Sequence, residues 1–164
     1  MALNSKQAHL AKQVTSGFKF SIFLLKGLPM GWLAGLRVRE LTAKKCTTSA
    51  PFKYLTKNPF KSIYFAVQSM AAELSTATAC LLAITGQNPS VAFIIVDLKA
   101  TFSKKATGRV YFTCEDGQKA FDAVEECINT GESAEATFKT IGKMKDGTIV
   151  SAFEFTWSFK QRRS

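Results

Sequence analysis

The sequence predicts an α+β fold: one long helix wrapped by a curved antiparallel sheet, with a helical segment ahead of it. Three features predict it. Between Lys61 and Asp97 the only charged side chain is Glu73, so the helix read there is apolar or small on nearly every side and has to be surrounded by protein. The residues after it form β-branched and aromatic runs broken by turn signals, the pattern of a meander. At 164 residues, 46% of them hydrophobic, the chain can bury one core and is short for two. A long apolar helix followed by a meander is buried well when the sheet curves around it.

Taken in order, residues 3–34 read as helix, because Leu10, Val14, Phe18, Ile22 and Leu25 recur at three- and four-residue spacing. Lys26-Gly27-Leu28-Pro29 breaks or kinks it, and Met30–Ala34 form a further turn. Residues 1–34 are therefore set apart as a helical extension covering an apolar surface, and 35–164 as the single main domain. From Gly35 the pattern alternates: Leu36, Val38 and Leu41 give a strand and Cys46, Thr48 and Ala50 its partner, with Thr42–Lys45 as the turn. Asn58-Pro59 is a cap-plus-proline start signal for the long helix, and Gly86 with Pro89 beyond it marks the stop. Val91–Phe102 reads as a strand, and its continuous Ala92–Val96 run predicts burial on both faces. Gly108–Glu115 alternates as a strand, and Gln118–Ile128 is an amphipathic helix with Phe121, Val124 and Ile128 on one side. Strands near Ala134–Lys143 and Thr148–Phe159 flank Lys145-Asp146-Gly147, a hairpin turn.

Composition narrows the function. A net charge of +10 attracts polyanions such as nucleic acid, an anionic membrane or a phosphate-bearing ligand. The densest basic cluster is the tail Lys160-Gln161-Arg162-Arg163, and no aromatic–basic platform accompanies it, which ranks nucleic-acid binding last. Neither Phe18–Leu36, with Lys19, Lys26 and Pro29, nor Ile63–Ile84, with Gln68 and Glu73, offers the roughly 20 uncharged apolar residues of a membrane span. Cys46, Cys80, Cys114 and Cys127 are far apart and His9 is the sole histidine, so no metal-ligating spacing arises and the thiols read as buried in a reducing compartment. The N-terminus lacks the charged-then-apolar layout of a secretory signal, which makes the cytoplasm the expected location. Without a GxSxG motif, and with its histidine near the terminus, the chain is not read as a serine hydrolase.

An acid inside an apolar helix is costly unless paired, neutral or functional. Glu73 also stands at a particular interval: Ala66 follows Asn58 by eight positions and Glu73 follows Ala66 by seven. The next strand ends in Phe102-Ser103-Lys104-Lys105-Ala106-Thr107-Gly108. On these residues the sequence resembles the hotdog-fold thioesterase superfamily, closest to a mostly uncharacterised branch with an added N-terminal helix, across roughly residues 35–160. Many members carry an asparagine, a small residue ending a His-Gly-Gly or Ala-Gly element, and then the acid on the central helix. An aromatic-x-basic-Pro-x-x-Gly element follows. Here Tyr64-Phe65-Ala66 replaces His-Gly-Gly, and the proline is missing.

The resemblance implies a hotdog fold and thioester hydrolysis. Glu73 would activate a water or itself attack the thioester carbonyl, and Asn58 would orient that water or the carboxylate. A backbone N–H of Phe65 or Ala66 would hold the oxyanion, with Ser62, Tyr64 or Ser69 as polar support. Lys104, Lys105 and Arg109, with Thr107 and Gly108 between them, would meet a phosphate-rich carrier, either coenzyme A or the phosphopantetheine arm of acyl carrier protein. No cofactor beyond the substrate's own coenzyme A moiety, no metal, no nucleic acid and no membrane is implied. A site shared across a homodimer with a continuous sheet, or a tetramer of such dimers, is implied. The second reading is a hotdog module that binds an acyl thioester or lipid without hydrolysing it. Phe20, Phe23, Phe60 and Phe93 suit an apolar acyl group in either case.

Overall fold

The computed structural model describes residues 2–162; Arg163, counted above in the basic tail, lies outside the described residues with Ser164. Three helices open the chain: α1 (Ser5–Thr15), α2 (Gly17–Gly27) and α3 (Pro29–Ala34). The break before Pro29 falls where proline and glycine place it. A second break, at Ser16, separates α1 from α2 because that residue is extended, with ψ at 112°. Asn4 starts α1 through a reciprocal cap: its side chain accepts from the Gln7 N–H, and the Gln7 side chain accepts from the Asn4 N–H.

After these come β1 (Arg37–Leu41), β2 (Cys46–Ala50), the long helix α4 (Phe65–Ile84), β3 (Val91–Phe102), β4 (Val110–Cys114), α5 (Gly117–Thr130), β5 (Ala134–Met144) and β6 (Ile149–Gln161). The six strands form one sheet in the order β1-β2-β4-β5-β6-β3, antiparallel at every pairing. Its concave face holds α4. The helix is long and apolar enough to cross a membrane, yet most of it is buried inside the protein. The hydroxyls and the amide that interrupt its apolar surface fix it in the sheet. Ser151 Oγ donates to Gln68 Oε1 at 2.9 Å, Thr48 Oγ1 to the Ala71 carbonyl at 2.5 Å, and Trp157 Nε1 to Thr76 Oγ1 at 3.0 Å. The Ser75 and Thr140 hydroxyls meet at 2.9 Å. Buried polar groups are thus paired, and each pair ties one turn of helix to one strand. All four thiols are at 0% exposure, and Cys46 faces Cys114 across β2 and β4.

Two expectations fail. The long helix does not start at Asn58-Pro59 but at Phe65, with no side-chain cap at Tyr64. Asn58 Oδ1 instead accepts from the Phe60 and Ser62 N–H groups and from Ser62 Oγ, closing a loop in which Lys61 takes a φ of 56°. Asparagine and proline here specify a turn, which uses the same side-chain chemistry as a helix start. Likewise, β3 is not buried on both faces. It is an edge strand paired only with β6, and Ile94, Ile95, Val96, Leu98 and Phe102 are all exposed. The register shifts between Ile95 and Asp97, so the concave face is presented by Phe93 and Ile95 before the bulge and by Leu98 and Phe102 after it. The apolar run marks an edge that the chain leaves uncovered.

Candidate functional site

Along α4 the half-buried residues are Ala66, Ser69, Met70, Glu73, Ala77, Leu81 and Ile84, at the three- and four-residue spacing of one helix face. This stripe faces away from the sheet. Glu73 sits on it beside α2, lining a cavity of about 260 Å³ together with Phe20, Phe23, Leu74, Ala77 and Phe93. Among the described residues no salt bridge reaches its carboxylate, and no hydrogen bond to it is formed. Burial alone pushes its pKa up to about 7. A carboxyl that changes charge near neutrality and opens on a cavity is equipped to accept a proton from a bound water.

A second cavity, of about 480 Å³, lies at the other end of the stripe between the loop at 58–63, the first turn of α4 and the segment after β3. Asn58, Phe65, Lys104 and Lys105 line it. Phe65 and Ala66 are the first two residues of α4, and among the described residues their N–H groups have no backbone acceptor. Free donors at a helix start, backed by the helix dipole, favour negative charge there. The long side chains of Lys104 and Lys105 are exposed at the cavity mouth and form no salt bridge among the described residues.

The structure thus gathers Asn58, Phe65, Lys104 and Lys105 in one cavity, with Ala66 adjoining Phe65, and sets Glu73 in another. Seven residues of helix rise separate Ala66 from Glu73 by about 10 Å. Thr107, Gly108 and Arg109 line neither cavity. Ser62 and Ser69 are engaged locally, donating to Asn58 Oδ1 and to the Phe65 carbonyl. Gln68 escaped the sequence reading as a site residue. It is 4% exposed at the second cavity, where its amide donates to the Ile63 carbonyl at 3.1 Å and accepts from Ser151. An amide one turn after the helix start, in an otherwise apolar segment, was the available signal. Cys46, Cys80 and Cys114 offer no nucleophile: burial raises all three thiols, Cys114 to about 11, so none is a thiolate near neutral pH.

No family model matches the chain, and no curated protein matches it by sequence. Solved structures do match. A Pseudomonas aeruginosa protein of unknown function, described as a probable thioesterase, superposes with a TM-score of 0.76 at 15% identity over 88% of this chain and 96% of its own. A thioesterase from Haemophilus influenzae gives 0.66 at 12% identity over 93% of this chain and 95% of its own. A mutant thioesterase from Pseudomonas aeruginosa gives 0.67 at 14% identity over 93% and 99%. At such identities the likeness is one of architecture, and the architecture is the hotdog fold.

Proposed function

We propose that this hotdog-fold chain hydrolyses acyl thioesters carried on coenzyme A or a phosphopantetheine arm, with Glu73 as general base. The observation that carries the reading is the Glu73 carboxyl itself, unpaired, raised to about 7 and open to a cavity on the half-buried stripe of α4. In its charged form it takes a proton from water as the oxygen adds to the thioester carbonyl. The oxyanion is held by the Phe65 and Ala66 N–H groups, and the C–S bond then breaks as the thiolate leaves and is protonated. Lys104 and Lys105 meet the phosphates of the carrier.

About 10 Å along one helix is too far for one carbonyl to meet both groups. Two protomers with their α4 stripes antiparallel bring the N–H groups of one to the acid of the other. The concave face of β3 borders both cavities, through Phe93 at Glu73 and Phe102 at Phe65, which supports an assembly through that edge. The functional unit of this reading is a homodimer.

Turnover of a panel of acyl-CoAs tests it. Glu73→Ala should lose about a hundredfold or more. Ala66→Pro, which removes one N–H at a position where a helix tolerates proline, should also be impaired. Co-expressed, the two variants should recover about a quarter of wild-type turnover, because half the dimers are mixed and each carries one complete site. Undiminished turnover in Glu73→Ala overturns the assignment. Saturable thioester binding without hydrolysis favours the binding module, for which the 54% exposed Phe65 ring beside the donors is the supporting observation.

A further inference from the structure

We infer that the acyl chain runs from Glu73 beneath the N-terminal helices, in an apolar channel between α2 and α4, and that α2 sets the chain length accepted. This rests on the thioester reading above. Apart from Glu73, the one polar side chain of the 260 Å³ cavity is Thr78, whose hydroxyl is already committed to the Leu74 carbonyl at 2.6 Å. Next to it a cavity of about 390 Å³ lies between α1, α2 and α4. The two share Val14, Phe20, Phe23 and Leu81, so they adjoin in line, and the remaining polar side chains, Gln13 and Lys19, belong to the distal cavity.

A ligand whose reacting carbon sits at Glu73 therefore finds no free hydrogen-bonding side chain until the distal cavity. That environment accepts a linear aliphatic chain and penalises a polar one, since each buried polar group would go unpaired. The size of the paired cavities fits the roughly 300–1,000 Å³ usual for small-molecule sites. Phe20, at 2% exposure, is a fixed wall. Phe23 stacks on it with ring centroids 6.0 Å apart, is 54% exposed and borders both cavities, which makes it the divider between them. Leu81 belongs to both and forms the floor.

The test is the ratio of kcat/KM for palmitoyl-CoA to that for butyryl-CoA, alongside binding of a fluorescent fatty acid to the same proteins. Leu81→Trp should lower the ratio at least about tenfold, the lower end of the discrimination an apolar pocket gives for one methylene, and weaken fatty-acid binding. Phe23→Ala, at an exposed ring where folding is not at stake, should raise the ratio by opening one cavity into the other. A wild-type ratio in both folded variants overturns the inference, as does fatty-acid affinity that neither variant changes. If no thioester is turned over but Leu81→Trp weakens saturable fatty-acid binding, the hydrolytic reading fails and the channel stands.

Discussion

A carboxylate without a counter-ion on a wrapped helix is raised by desolvation, and that has a thermodynamic sign. Folded Glu73 holds its proton up to about pH 7, whereas its ordinary value is 4.5. Between these limits the folded state binds more protons than the unfolded one, so stability falls as pH rises through the window. The penalty is absent below the lower value and complete above the upper, reaching at most about 3 kcal/mol. Glu73→Gln removes it: urea midpoints should show the variant more stable than wild type at about pH 8, with the gap closing below pH 4.5. Equal midpoints across that range would contradict a desolvated acid. The same group gives kcat/KM a rising limb near pH 7 under the proposed chemistry. Glu73 was legible in the sequence because its neighbours are so uniformly uncharged. Its separation from Asn58 was not, since the interval along the chain says nothing about whether a loop intervenes.

At the scale of elements, the close fit of helix to sheet depends on Gly142 of β5. A Cβ there would lie 2.7 Å from Phe112 Cε1 and 2.8 Å from Ser151 Oγ, the hydroxyl that holds Gln68. Gly142→Ala should destabilise by about 1–3 kcal/mol through overpacking, read from the urea midpoint. It should also disturb the second cavity, through Gln68. The strands of the meander and the amphipathic helix were legible because alternation and helical spacing reflect a single buried face. Two elements were misread for definite reasons. Asn58-Pro59 satisfies backbone N–H groups equally well as a helix cap or as a closed turn, and only the Lys57–Ile63 bridge settles which. The Ala92–Val96 run looks like a doubly covered strand because hydrophobicity records what an element must bury, and one chain need not supply the cover.

For the molecule as a whole, the uncovered edge is the feature with the largest consequence for assembly. Leu98 pairs with the buried Phe155 on the concave side and is itself 47% exposed. Leu98→Lys should convert the proposed dimer to monomer in sedimentation and abolish turnover with it, since neither protomer then holds a complete site. A wild-type monomer with full activity would rule out the shared site. The four thiols also have a use that the fold confers without any chemistry of their own. Cys46 lies in β2, Cys114 in β4, Cys80 in α4 and Cys127 in α5, all sealed from solvent. An alkylating reagent can reach each only when its own element parts from the rest, so the order in which they are labelled is a native record of which regions open first.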